Sequence, residues 1–167
     1  MYICKPERNV TQVKLILFIS VIVTALLFLV ASFDTPIKSF VNLAAFAALV
    51  IAILVNVRYS LTEFEYTVGN GDFSVTKTVG NRRQVVCCVA LSTAIELIPK
   101  RDYDHLPSAE KGIIKYSLNQ NMKAESFVFL CDFNGKRAMI EFEPNKEFVA
   151  ILTDEIAKAK HSSDVEE

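Results

Sequence analysis

Apolar positions recur along the chain in three rhythms, and each predicts a different element. From Val13 to Phe33 only Lys14, Ser20, Thr24 and Ser32 interrupt an apolar run, and from Ile37 to Val57 only Lys38, Ser39, Asn42 and Asn56 do. Neither run has the polar stripe that a surface helix shows every 3.6 residues. Each is about 20 residues long, and at roughly 1.5 Å per residue that length crosses a hydrocarbon core of about 30 Å. Both runs are read as membrane-spanning helices. A secretory signal would end after an apolar stretch of about 7–15 residues and a cleavage site. A chain of 167 residues is too short to wrap two such helices in a soluble core.

Past Ser60 the rhythm changes to period two. Phe64, Tyr66 and Val68 alternate with Glu63, Glu65 and Thr67, then Gly69-Asn70-Gly71-Asp72 supplies hairpin chemistry, and Phe73, Val75 and Val79 alternate with Ser74, Thr76 and Thr78. A turn at Gly80-Asn81 leads to a strand over Gln84 to Val89, and Ala94 to Ile98 predicts another. Pro99 to Lys111 is charged and turn-rich and is read as a loop. Strands resume over Ile113 to Leu118, Ser126 to Phe133 and, after Asn134-Gly135, Arg137 to Glu143. Beyond Pro144 the period becomes helical: Phe148, Ile151, Leu152, Ile156 and Ala159 form one face, with Lys146, Glu147, Asp154, Glu155 and Lys158 opposite. The expected fold is α+β: a two-helix transmembrane hairpin, meandering antiparallel strands and a closing amphipathic helix. The expected parts are residues 1–12 as a short cytoplasmic N-terminus, 13–58 as the hairpin, 59–160 as the cytoplasmic domain and 161–167 as a disordered acidic tail.

The flanks set the orientation. Lys5, Arg8 and Lys14 precede the first span and Arg58 follows the second, whereas the connecting turn holds Asp34 and is followed by Lys38. The positive-inside rule places both termini in the cytoplasm of a two-span cell-membrane protein. Thr35 as N-cap and Pro36 at the first helical position start the second helix. Ala44, Ala48 and Ala52, four apart, suggest a small-residue face on which Ser20 and Thr24 of the first span pack. No charged residue lies at mid-membrane depth, so the hairpin reads as an anchor and a dimerisation surface and not as a transporter.

Charge narrows the partners. The first 59 residues carry 5 Lys+Arg against 2 Asp+Glu, and the remaining 108 carry 13 against 17. A mildly acidic domain argues against nucleic acid. Only Arg58 and Tyr59 separate the second span from the first strand-like segment, which keeps the domain close to the inner membrane face.

The block from Phe64 to Val75, FEYTVGNGDFSV, resembles the first hairpin of bacterial pleckstrin-homology-like domains, which are often tethered to one or two transmembrane helices. Glu141-Phe142-Glu143-Pro144-Asn145-Lys146 is similar to a segment of small two-span membrane proteins of clostridia and related Firmicutes. The resemblance runs from the first span to about Ala159. It implies a PH-like antiparallel β-barrel or curved sheet capped by a C-terminal helix, and it brings no catalytic residues. Eukaryotic members recognise phosphoinositides through Lys and Arg around the first hairpin. Here that turn has no basic residue before Lys77, which departs from that pattern.

Candidate chemistry is sparse. Cys4, Cys87, Cys88 and Cys131 include no CxxC, and the adjacent pair points to opposite faces of a strand. His105 and His161 lie in a loop and in the tail, so no metal site is assigned. On the reducing side of the membrane the thiols are expected free, with Cys131 packing in the core. Glu63 with Glu65, and Glu141 with Glu143, share strand faces at i,i+2 and are read as solvated faces before an acid–base pair. Asp102, Tyr103, Asp104 and His105 form the densest polar cluster and are read as loop surface. Arg82-Arg83, Lys136-Arg137 and Lys100-Arg101 are the basic clusters, and a contact with anionic lipid through one of them is the lesser option. No catalytic, cofactor-binding or metal residue is assigned and no cofactor is expected. The expected function is a non-enzymatic membrane-anchored module for protein interaction or complex assembly, with the bilayer and a protein partner or second copy as partners. The alternatives are a thiol-dependent or hydrolytic enzyme using Cys88 or the Asp102–His105 loop, and a small subunit of a larger membrane complex.

Overall fold

A computed structural model describes residues 1–33, 38–122 and 124–165. The chain forms two compact units, one of Asn9–Thr62 and the other of Met1–Arg8 with Glu63–Glu167.

The first unit is a helical hairpin. Helix α1 (Val10–Ala31) starts at Asn9, whose side chain accepts the Gln12 N–H, and ends at Ser32, whose hydroxyl donates to Phe28 O. Helix α2 (Lys38–Asn56) runs on as a π-helical turn over Val57–Leu61. Both helices are long and apolar enough to cross a membrane. Their large side chains mostly point outward, as Leu29 (60 % exposed) and Phe46 (62 %) do. Val13, Ile16, Ser20, Thr24, Leu27 and Ala31 form the shielded face of α1, so Ser20 and Thr24 lie where expected. On α2 the shielded alanine is Ala45, fully buried, while Ala44 is exposed. A four-residue step turns a helix by about 400°, so Ala44 has rotated about 80° away from Ala52, whereas the seven residues from Ala45 to Ala52 drift only about 20°. The small-residue face is therefore Ala45, Ala48 and Ala52. Thr35 and Pro36 lie outside the described residues.

Among the described residues the second unit contains eight strands in two four-stranded sheets. One sheet has the order β1 (Tyr2–Cys4), β2 (Thr62–Gly69), β3 (Asp72–Val79) and β4 (Arg82–Ala90). The other has the order β5 (Ala94–Pro99), β7 (Phe127–Phe133), β8 (Lys136–Phe142) and β6 (Ile114–Ser117). The β2–β3 connection has Asn70 at φ 56° and Gly71 at φ 80°, the paired positive angles of a type I′ hairpin. Strand β4 carries a bulge: Val75 faces Cys87 and Thr76 faces Val85, leaving Val86 as the extra residue.

Four features differ from expectation. The N-terminus is not a free segment, because β1 pairs antiparallel with β2 in the register Tyr2–Val68 and Cys4–Tyr66. The domain is therefore not purely C-terminal; its first strand precedes the hairpin, which is inserted between two neighbouring strands. The sheets do not close into a barrel, and β6 lies parallel to β8. Strand β6 takes the free edge of β8. A short helix α3 (Lys100–Asp104) occupies part of the expected loop. Helix α4 (Lys146–Val165) continues into the expected disordered tail, of which residues 166–167 lie outside the described residues.

The core lies between the sheets and α4. Tyr66, Phe73, Phe129, Phe142 and Phe148 are fully buried, with ring centroids 5.0 Å apart for Phe73–Phe142 and 5.3 Å for Tyr66–Phe142. Helix α4 is capped at its start by Asn145, whose Oδ1 accepts the Phe148 N–H, and it drives Phe148 and Leu152 into this core. The Tyr2 ring lies 6.0 Å from Phe148, so β1 and α4 meet over the same residue. A smaller cluster of Tyr103, Val128, Leu130 and Met139 packs under α3.

Candidate functional site

The polar groups singled out in the sequence are held in three local networks. The first joins the N-terminal segment to β2 and β4. Lys5 pairs with Glu65 at 2.8 Å, Arg8 with Glu63 at 3.2 Å, and Arg83 reaches Glu65 from the other side. Glu65 is 9 % exposed, so it is not the solvated strand carboxylate expected from alternation. Lys5 and Arg83 flank it as its ion-pair partners.

The second network is built by Asn119, Gln120 and Asn121, which the sequence reading missed. Asn119 Nδ2 donates to Glu141 at 2.7 Å, and Ser126 Oγ donates to the same carboxylate. The Asn121 backbone and side-chain N–H groups both donate to Glu143, and its Nδ2 also reaches Glu7 O. Gln120 is 2 % exposed and accepts the Phe64 N–H at 3.1 Å. The Tyr66 hydroxyl donates to Leu118 O at 2.9 Å and accepts from Glu143 N at 3.2 Å. Glu141 and Glu143 are thus occupied as acceptors from amides. The signal was present as three consecutive amide side chains between strands, a composition suited to satisfying backbone and carboxylate groups.

The third network surrounds α3. Lys100 pairs with Asp104, and this holds the Asp104 carboxyl below its ordinary range. Lys100 and Lys111 lie 5.4 and 5.8 Å from the Tyr103 ring centre, and the Tyr103 hydroxyl accepts the Gly112 N–H. Tyr103 is buried while Asp102, Asp104 and His105 are exposed, so the cluster does not converge on one point.

The thiols are dispersed. Cys4 and Cys131 are buried, Cys87 is half-buried and Cys88 is exposed, consistent with opposite faces for the adjacent pair. Burial pushes the Cys87 and Cys131 thiols up to about 11 and raises Cys4. Such groups are protonated and poorly nucleophilic near neutrality. Among the described residues no three His, Cys, Asp or Glu side chains gather as a metal-binding group.

Each basic cluster has a member tied within the domain. Arg83 pairs with Glu65, Arg137 donates to Glu110 O at 3.0 Å and Lys100 pairs with Asp104. In the hairpin, Asn56 Nδ2 donates to Ser20 Oγ at 3.0 Å and to Ala52 O at 2.8 Å, linking the two helices.

No curated protein and no solved structure matches the chain. A family model described as a bacterial PH-like domain matches residues 2–160, a span that starts at β1, includes both apolar helices and ends in α4. With nearly its whole length matched, the chain belongs to the bacterial PH-like domain family DUF6106.

Proposed function

We propose that the chain is a membrane-anchored, non-enzymatic module that holds a PH-like domain at the cytoplasmic face of the cell membrane for protein interaction or complex assembly. The observation that carries this reading is the pairing of β1 with β2 across the inserted hairpin. Two strands that share hydrogen bonds lie in one compartment, which supports a reading in which the pair of helices between them crosses the membrane and returns. Lys5, Arg8, Lys14 and Arg58 on the strand side, against Lys38 beyond the turn, support the cytoplasm as that compartment. The arrangement of carboxylates and thiols supports a binding role: the paired glutamates are used as acceptors, and three of the thiols have raised pKa values.

Extraction of native membranes with alkaline carbonate tests the anchor. The chain is expected to stay in the membrane pellet. A double variant Leu26→Arg with Ile51→Arg, at exposed positions of α1 and α2, adds about 2.5–3.5 kcal/mol of insertion cost per span and is expected to leave the pellet. Recovery of the unaltered chain in the soluble fraction would overturn the reading.

A further inference from the structure

The chain leaves the domain for the apolar helices, and returns from them, at one place. Arg8 and Glu63 are ion-paired at 3.2 Å, and each stands two residues from a helix able to span a membrane, Val10–Ala31 or Lys38–Leu61. Two residues reach at most about 7 Å. The polar layer on each side of a hydrocarbon core of about 30 Å is itself about 5–8 Å deep. With the helices in the bilayer, the Arg8–Glu63 pair therefore stands at headgroup level. Asn121 is tied to the same place: its Nδ2 donates to Glu7 O at 2.8 Å, and its backbone N–H donates to Glu143. Gln120, accepting the Phe64 N–H, fixes the chain just before it. The next residue, Met122, is 59 % exposed. A large apolar side chain is thus held out to solvent on a backbone anchored beside both crossings. The other end of this sheet holds the Asp72–Ala90 pair and Gly69, which is six residues along β2 from Glu63, or about 20 Å.

We propose that Met122 is a lipid contact, entering the interfacial layer of the bilayer beside the two spans and seating the domain on the membrane by this end. The occupant is lipid because the two short crossings bring Asn121 to within a headgroup's depth of the hydrocarbon, and lipid surrounds each span at that depth. A long, unbranched thioether side chain adapts to the irregular boundary between headgroups and acyl chains. The contact is apolar and independent of lipid charge, since Arg8 is already paired with Glu63 and the Asn121 amide with Glu143. The inference rests on the membrane reading above and goes beyond it by naming the surface through which the domain itself meets lipid.

The test uses the full chain in phosphatidylcholine vesicles that carry a nitroxide-labelled lipid in both leaflets, so that either sense of insertion reports. In a Cys88→Ser background, Met122→Cys and Ala90→Cys each carry an environment-sensitive dye, Ala90 being an exposed position at the far end of the sheet. The dye at position 122 should shift its emission to the blue and lose most of its intensity to the nitroxide, and the dye at position 90 should do neither. To read the methionine itself, the dye is moved to the exposed neighbouring position by Glu125→Cys, where adding Met122→Asp should cut the quenching severalfold. A chain that resists carbonate extraction but leaves position 122 unquenched, or quenches position 90 as strongly, would overturn the proposal while leaving the anchor intact. Quenching at position 125 that ignores Met122→Asp would overturn it as well. Quenching that appears only when phosphatidylglycerol is added would replace the apolar contact with an ionic one and refute it. A chain that never partitions into the vesicles would remove the membrane reading itself, and this inference with it.

Discussion

Tyr66→Phe isolates the hydroxyl that joins three parts of the domain while leaving the aromatic core its shape. The Tyr66 ring is fully buried against Phe142 and Phe148, and its hydroxyl donates to Leu118 O at 2.9 Å and accepts from Glu143 N at 3.2 Å. Removing that oxygen takes one partner from a carbonyl and one from an N–H. A buried backbone group left unsatisfied costs about 1–3 kcal/mol, so two cost roughly 2–4 kcal/mol once partial relaxation is allowed for. That is a large share of the about 5–15 kcal/mol that stabilises a typical domain. Cys131, fully buried beside this core, reports the opening. In the full chain in detergent micelles, its alkylation through opening should accelerate about 30-fold to 900-fold, the Boltzmann factors of those energies. Tyr116→Phe, at an exposed position, should leave the rate unchanged. An acceleration below about threefold would mean that water reaches Leu118 O and Glu143 N, and the clamp of residues 118–121 would not be closed as described.

Four further outcomes follow from the geometry and from the raised thiol pKa values. A Cβ at Gly69 would lie 2.7 Å from the Met1 Cα, so Gly69→Val should displace β1 and open the buried Cys4 to maleimide, while a protected Cys4 would refute the β1–β2 pairing. Cys87 and Cys131 should alkylate slowly at pH 7, with rates rising about tenfold per pH unit until near their raised pKa of about 11. The folded state favours these neutral thiols, so their contribution to stability is intact below pH 9 and is lost as pH rises through about 11; greater stability at pH 10.5 than at pH 8.5 would contradict this, read from thermal melts. Arg82→Ser with Arg83→Ser should cost only the partly exposed Arg83–Glu65 pair, about 0.2–1 kcal/mol, and leave vesicle association of the full chain unchanged, whereas a marked loss of association would assign this turn to anionic lipid.

The apolar hairpin, the β2–β3 and β7–β8 turns and the face of α4 were legible because each rests on local periodicity or on residues that tolerate positive φ. Asn70-Gly71 and Asn134-Gly135 act within four residues, and Phe148 and Leu152 share one helical stripe. Strand β1 was not legible. Tyr2-Ile3-Cys4 is three residues long, and its partner lies more than 60 residues away across the hairpin, so no local pattern announces it. The parallel β6–β8 pairing and the Asn119–Asn121 clamp escaped for the same reason, since both depend on which elements the core brings together. Ala44 was misread because a four-residue spacing only approximates the helical repeat. For the candidate site, residue types were read correctly and their partners were not: Glu65, Glu141 and Glu143 looked free until Lys5, Arg83, Ser126 and the amides were placed beside them.

The central claim is that one cytoplasmic domain is threaded by a hairpin that enters the membrane and returns. Cys88, exposed on β4, offers the most direct measurement. A membrane-impermeant maleimide should modify it in inside-out vesicles and leave it unmodified in intact cells, with the chain resisting carbonate extraction in both cases. Labelling in intact cells would put the domain on the outer face, and loss of the chain to the soluble fraction would remove the anchor altogether.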